Sequence, residues 1–193
     1  DYPGEWLLDL ALVEKPYAAW AAEALAEALA PHRAKAAAPF LAAIADLDPA
    51  AAQDEQTAMR LATAFTAYLQ EVRDGQSGAA AGLAMVGPGR FLMPGDLAGS
   101  PLLTFAPLPL ADGPTPRGSL AAMMSRRYES YMVHVVQPFF RDHFSRLDRQ
   151  IVLVDALSAI NAGPAAVEDL SRALHASLEA FRPGANTWLS AIL

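Results

Sequence analysis

Asp1-Tyr2-Pro3-Gly4-Glu5-Trp6-Leu7-Leu8-Asp9-Leu10 opens the chain. Pro3-Gly4 is a turn signal, because proline presets one backbone angle and glycine tolerates angles that other residues avoid. An apolar run follows to Val13. A strand that ends just before Asp1 and a loop that turns at Pro3-Gly4 account for this order, as does a plain proline-glycine turn capped by Asp1. The chain starts on an aspartate, with no initiator methionine, basic n-region or secretory h-region. The expectation is therefore an interior piece of a longer protein.

Further along, Tyr17 to Ala45 is dominated by Ala, Leu and Glu, which favour helix, with Pro31 and Pro39 as breakers. Two or three short helices are expected there. Asp48-Pro49 reads as a helix start, and Leu61, Phe65, Tyr68 and Leu69 recur at helical spacing, which predicts a long amphipathic helix from about Ala50 to Arg73. Between Gly75 and Gly118 the chain turns rich in Gly and Pro, and a long ordered loop is expected.

Helix resumes near Ser119 and runs to about Leu147 with an interruption at Pro138, offering Met124, Tyr128, Tyr131, Val135, Phe139 and Phe140 as a core side. Ile151-Val152-Leu153-Val154 is short, apolar and rich in β-branching, the pattern of a strand buried on both faces of a parallel sheet. A turn at Asn161-Ala162-Gly163-Pro164 and an amphipathic helix from Ala165 to Phe181 complete a βα unit.

Composition narrows the function classes. The 193 residues are 53% hydrophobic and 18% charged, enough for one sizeable core or for one core plus a smaller lobe. The net charge of -7 opposes a nucleic-acid partner, whose binding proteins carry a basic face. With no cysteine there is no disulfide framework and no thiolate metal site, which suits a reducing cytoplasm. Mean hydropathy is +0.20, yet the apolar excess is largely alanine, and no uninterrupted run of about 18 strongly apolar residues predicts a transmembrane helix.

Two distant stretches carry a resemblance. The opening Asp1 to Leu10, together with Asp148-Arg149-Gln150-Ile151-Val152-Leu153-Val154-Asp155-Ala156-Leu157 and Asn161-Ala162-Gly163-Pro164, resembles the YcjX-like family of bacterial P-loop NTPases. Gly89-Arg90-Phe91-Leu92-Met93-Pro94-Gly95-Asp96-Leu97 and Pro138-Phe139-Phe140-Arg141-Asp142-His143-Phe144 look like the same family. The resemblance covers nearly the whole chain. It implies an α/β fold, part of a Ras-like P-loop NTPase sheet carrying a large, mainly helical insertion, with the piece itself predominantly α-helical. The implied divisions are a switch II-like segment over 1–15, the insertion with its Gly/Pro-rich region over 16–147, and a strand-helix unit over 148–193. The implied activity is binding and hydrolysis of GTP, or of ATP, by a cytoplasmic molecular switch of the bacterial stress response. No GxxxxGKS/T loop and no N/TKxD motif occurs in the chain. Both are expected outside these residues, and the piece alone is expected to be inactive.

The D-x-x-G spacing suits such chemistry. Phosphoryl transfer needs magnesium, donors on the γ-phosphate and a positioned water. An aspartate at a strand end can hold the metal, in part through water, and Asp1 takes that role. A glycine three residues on can bring its N–H against the γ-phosphate without a side chain in the way, and Gly4 takes that one. Glu5 stands where Ras-like enzymes commonly keep a water-positioning glutamine, although a carboxylate there faces repulsion from the phosphates.

Arg90 and Arg127 are the arginines available for charge neutralisation, against the ordinary alternative of an ion pair or helix cap. Asp155 either lines the site or caps a helix. The histidines, His32, His134, His143 and His175, show no paired ligand spacing, and Ser100, Ser119 and Ser125 have no nucleophile elbow. Tyr128, Tyr131, Phe139, Phe140 and Phe144 are assigned to packing. From another class comes a non-catalytic helical module with a degenerate nucleotide site, whose protein partner docks on the Gly75 to Gly118 region of the insertion.

Overall fold

Leu61, Phe65, Tyr68 and Leu69, the residues that recur at helical spacing, form the buried face of the longest central helix. In a computed structural model of the chain, residues 4–13, 15–75, 87–111, 113–144 and 153–180 are described. They are predominantly helical and include no strand. The helices are α1 (Gly4–Leu8), α2 (Tyr17–Ala28), α3 (Ala34–Ala45), α4 (Glu55–Gly75), α5 (Gly89–Leu92), α6 (Leu120–Tyr131), α7 (Gln137–Phe139), α8 (Ala156–Ala162) and α9 (Pro164–Ala180).

Helix α4 starts later than the Asp48-Pro49 signal suggests. Asp54 caps it, accepting the Thr57 backbone N–H at 2.7 Å, while Asp48 closes a local turn by accepting that of Ala50 at 2.9 Å. Pro31 opens a 3-10 turn over Pro31–Arg33, but Pro39 sits inside α3 without ending it. Pro39 and Lys35 both lie on the exposed side of α3, so the Lys35 carbonyl deprived of a donor is left to solvent. Helices α3 and α4 pack through Phe40 against Phe65 and Tyr68, with ring centroids 5.1 and 6.0 Å apart.

The Gly- and Pro-rich region is, over its described part, the ordered loop expected from its composition. Residues 76–86 and Asp112 lie outside the described residues, but 87–111 is packed down rather than looped out. Short turns at α5, Gly95–Leu97 and Pro101–Leu103 lead into an extended stretch, Phe105 to Leu108, that is buried in the centre of the core. Phe105 is fully buried, with ring centroids 4.9 Å from Phe91, 5.5 Å from Trp20, 5.4 Å from Tyr131 and 5.7 Å from Tyr128. An extended chain can lie there because proline at 107 brings no N–H to satisfy and the Ala106 carbonyl accepts the Tyr17 hydroxyl at 2.9 Å.

Ser119 caps α6, its Oγ accepting the Ala122 N–H at 3.1 Å, and it also forms an antiparallel bridge with Ala52. Ser119→Ala is expected to cost about 1 kcal/mol, the usual worth of an N-cap, read as a shift in urea midpoint. Beyond Tyr131 the helix continues through π turns at Met132–Val136 and Phe140–Phe144, on either side of α7. Pro138 is the physical cause: without an N–H it cannot complete the α-helical ladder, and the backbone rewinds around it instead of breaking.

The strand expected over Ile151 to Val154 is not formed where the chain is described. Ile151 and Val152 lie outside the described residues, and Leu153, 89% exposed, and Val154 belong to no strand. A strand needs a ladder partner, and among the described residues there is none. Asp155 is a helix cap, accepting the Ser158 N–H at 2.9 Å at the start of α8. Gly163, at φ 105°, makes the turn into α9. Helix α9 returns across the molecule to pack on α1 and the turn after it. Among the described residues no helix is long and apolar enough to cross a membrane.

Candidate functional site

Asp1 lies outside the described residues, as does the proposed boundary between 147 and 148. Gly4 is the first residue of α1, and Glu5 and Trp6 follow on the same helix, both partly buried. The geometry here is set by a segment 80 residues away: Gly87 to Asp96 lies against α1.

Three contacts make this junction. Gly89 packs against the α1 backbone so closely that a Cβ on it would stand 1.7 Å from the Glu5 carbonyl oxygen, which only glycine permits. The Arg90 guanidinium lies over the Trp6 ring, 3.5 Å from its centroid, and is held there by the Asp96 carboxylate at 3.1 Å and the Pro94 carbonyl at 3.3 Å. Gly95, at φ 56°, turns the chain over the outer side of that pair, and a Cβ there would meet Arg90 at 3.2 Å and the Trp6 ring at 3.4 Å. The Trp6 indole N–H donates to the Met93 carbonyl at 2.9 Å, and its ring meets Phe139 edge-on at 5.4 Å.

One turn further on, Asp9 is 3% exposed, a buried carboxylate beneath the same segment. Its Oδ1 accepts the Gly89 backbone N–H at 2.8 Å and its Oδ2 the Tyr131 hydroxyl at 2.7 Å. Burial pushes the Asp9 carboxyl up to about 6, against the Tyr131 and Gly89 hydrogen bonds and the Arg90 charge, which pull it down. Burial, reinforced by the Asp9 charge, also drives the Tyr131 hydroxyl well above its ordinary range, so it stays a donor.

The sequence candidates therefore divide. Gly4 and Glu5 are adjacent on α1, and Arg90 is brought to the same junction from a distant stretch. Arg127 is not; its Nη1 donates to Thr104 at 2.8 and 2.9 Å and its Nη2 pairs with Glu55, the ion-pair alternative. Among the described residues Asp155 serves the cap described above and also accepts the Ser158 hydroxyl at 3.0 Å. Asp9 escaped sequence reasoning, since a carboxylate in Leu-Leu-Asp-Leu announces itself only as an acid on an apolar run. Among the described residues no group of three or more His, Cys, Asp or Glu is arranged to hold a metal ion.

A second charged cluster joins α9 to the turn after α2. Arg33 donates to Asp169 at 3.0 Å with both side chains buried, Arg172 pairs with Asp169 and with Glu27, and His32 Nε2 stands 3.2 Å from Asp169.

Comparison with known proteins shows the family. The model of the YcjX-like family, DUF463, matches residues 1–193. The Ras-like GTPase YcjX of Escherichia coli strain K12 is 37% identical over 194 residues, which cover 97% of this chain and 40% of the relative. The Ras-like GTPase YcjX of Shewanella oneidensis strain MR-1 is 35% identical over 196 residues, covering 98% and 39%. The chain thus spans about two-fifths of the length of these relatives, and it belongs to the YcjX-like family.

Proposed function

We propose that residues 1–193 are the switch-bearing and insertion part of a nucleoside-triphosphate hydrolase, with GTP ahead of ATP, that alternates between triphosphate and diphosphate states. What supports this reading is that Gly4, the glycine of D-x-x-G, opens α1, a short helix held on its backbone by Gly89 and on Trp6 by Arg90. The relatives' name, Ras-like GTPase, supports it. In this proposal the Gly4 N–H meets the γ-phosphate and Glu5 orients the attacking water.

Magnesium is assigned to Asp1 on the chemistry of a hard cation and a carboxylate. Among the described residues no further cluster of His, Cys, Asp or Glu fits a metal. The Ras-like sheet context, the cytoplasmic location and the role in bacterial stress belong to the same proposal and rest on the family resemblance.

Phosphate release from GTP and from ATP by the complete protein is the test. Asp1→Ala is expected to lower turnover at least about tenfold, equivalent to about 1.4 kcal/mol of transition-state stabilisation. Turnover unchanged by the substitution removes Asp1 from the mechanism. Absence of both turnover and nucleotide binding in the unaltered protein leaves the interaction module with a degenerate site.

A further inference from the structure

The Gly89 to Asp96 stretch is one of the segments that carry the family resemblance, and phosphate chemistry gives it no task. Phe91 anchors it in the core, and four of its contacts converge on α1. Gly89 abuts the Glu5 carbonyl, Arg90 covers the Trp6 ring, the Met93 carbonyl takes the Trp6 indole proton, and Gly95 closes over the stacked pair. Resting on the proposed function, we propose that Arg90, set by Asp96 and backed by Gly89, is a positioning residue that acts through Trp6 to fix Glu5 for the attacking water.

Arg90 does not itself reach for phosphate in this arrangement. Its Nη1 is shared between Asp96 and the Pro94 carbonyl, and its planar face is spent on Trp6. A guanidinium stacks on an indole with its whole plane, whereas a lysine ammonium is a compact charge on a flexible stem. Lysine at 90 therefore keeps the pairing with Asp96 and loses the grip on Trp6. Misplacing a water-orienting group by about an ångström costs up to about 100-fold in rate without weakening substrate binding.

The experiment is steady-state GTP hydrolysis by the complete protein carrying Arg90→Lys, Trp6→Leu and the two together, with thermal melting of each variant. Arg90→Lys is expected to lower kcat about 10- to 100-fold with KM within about threefold of the unaltered protein. Trp6→Leu is expected to lower it similarly, and the double variant to fall no further than the worse single, because both changes break one contact. Multiplicative effects mean that Arg90 acts independently of Trp6 and overturn the positioning role, as does an unchanged kcat in Arg90→Lys. If the substitutions at 90 and 6 prevent folding, Asp96→Asn decides. The Asp96 side chain is 80% exposed, so its loss leaves the fold intact, and a fall in kcat at constant KM is expected from it, while no fall overturns the proposal. An unaltered protein with no hydrolysis of any nucleotide instead removes the proposed function itself.

Discussion

Asp169→Ala is expected to lower the stability of the folded chain by about 3–5 kcal/mol, the cost of leaving a buried charge without its partner. The side chain of Asp169 is 1% exposed and that of Arg33 4%. Transferring both into the interior is costly, and their attraction at 3.0 Å offsets the cost only while both are present. Alanine at 169 leaves the Arg33 guanidinium with Glu27 at 3.4 Å and removes one of the two carboxylates that hold Arg172. Burial by itself lowers the Arg33 pKa, the neighbouring Tyr68 and Asp169 leave the net shift upward, and a guanidinium keeps its proton in a protein even without Asp169, so the cation cannot escape by losing it. Urea unfolding followed by far-UV circular dichroism measures the loss. A decrease below about 1 kcal/mol would mean that water or Glu27 satisfies Arg33 without Asp169. The paired substitution Arg33→Met with Asp169→Leu is expected to recover most of the stability, since a hydrophobic pair carries no desolvation penalty.

This network and the α1 junction differ in how far the sequence disclosed them. The helices came through clearly. In α4 the spacing of Leu61, Phe65, Tyr68 and Leu69 lies on the buried side, and the helix expected over Ala165 to Phe181 is met by Pro164–Ala180, with Phe181 outside the described residues. Periodicity is a property of neighbours in sequence, and so are caps such as Asp155. Long-range placement is not. Nothing in the composition around Pro107 distinguishes a proline-rich surface loop from an extended core segment, because the difference lies in whether aromatic rings from α2, α5 and α6 close around Phe105. The need for glycine at 89 depends on the Glu5 carbonyl, 84 positions away, and that of Asp9 for partners on Gly89 and Tyr131. Arg90 was nominated from its residue type, yet its role is decided by Trp6. The expected strand at Ile151 to Val154 shows the opposite limit: apolar, β-branched residues favour a strand, but pairing supplies the hydrogen bonds that make one.

Asp9 makes the second large prediction, in pH. Its carboxyl is raised from 3.8 to about 6 by burial, with the Tyr131 and Gly89 hydrogen bonds and the Arg90 charge working against that rise. The folded chain therefore holds this proton more tightly than the unfolded chain. The resulting stability is fully present below about pH 3.8, declines as pH rises and is gone above about pH 6. At 1.36 kcal/mol per pKa unit the swing is on the order of 3 kcal/mol. Other carboxylates titrate over the same range, so the difference between the unaltered chain and Asp9→Asn isolates it. Asparagine keeps an acceptor for the Gly89 N–H and has no charge to desolvate. Asp9→Asn is expected to gain about 3 kcal/mol relative to the unaltered chain between pH 4 and pH 7, measured as the difference of two urea-derived stability curves. A flat difference would show that the Asp9 charge is solvated and that the latch beneath α1 is open to water. Near neutral pH the carboxylate is ionised inside the junction, where its hydrogen bonds to Gly89 and Tyr131 are charge-assisted. Burial outweighs those hydrogen bonds, so the contact between Asp9 and Gly89 is strongest relative to water while Asp9 is protonated. Opening the junction would exchange the Gly89 and Tyr131 donors for water, which an ionised carboxylate favours and a protonated one does not. Asp9→Asn, neutral at every pH, is therefore expected to remove the pH dependence of this contact along with its cost.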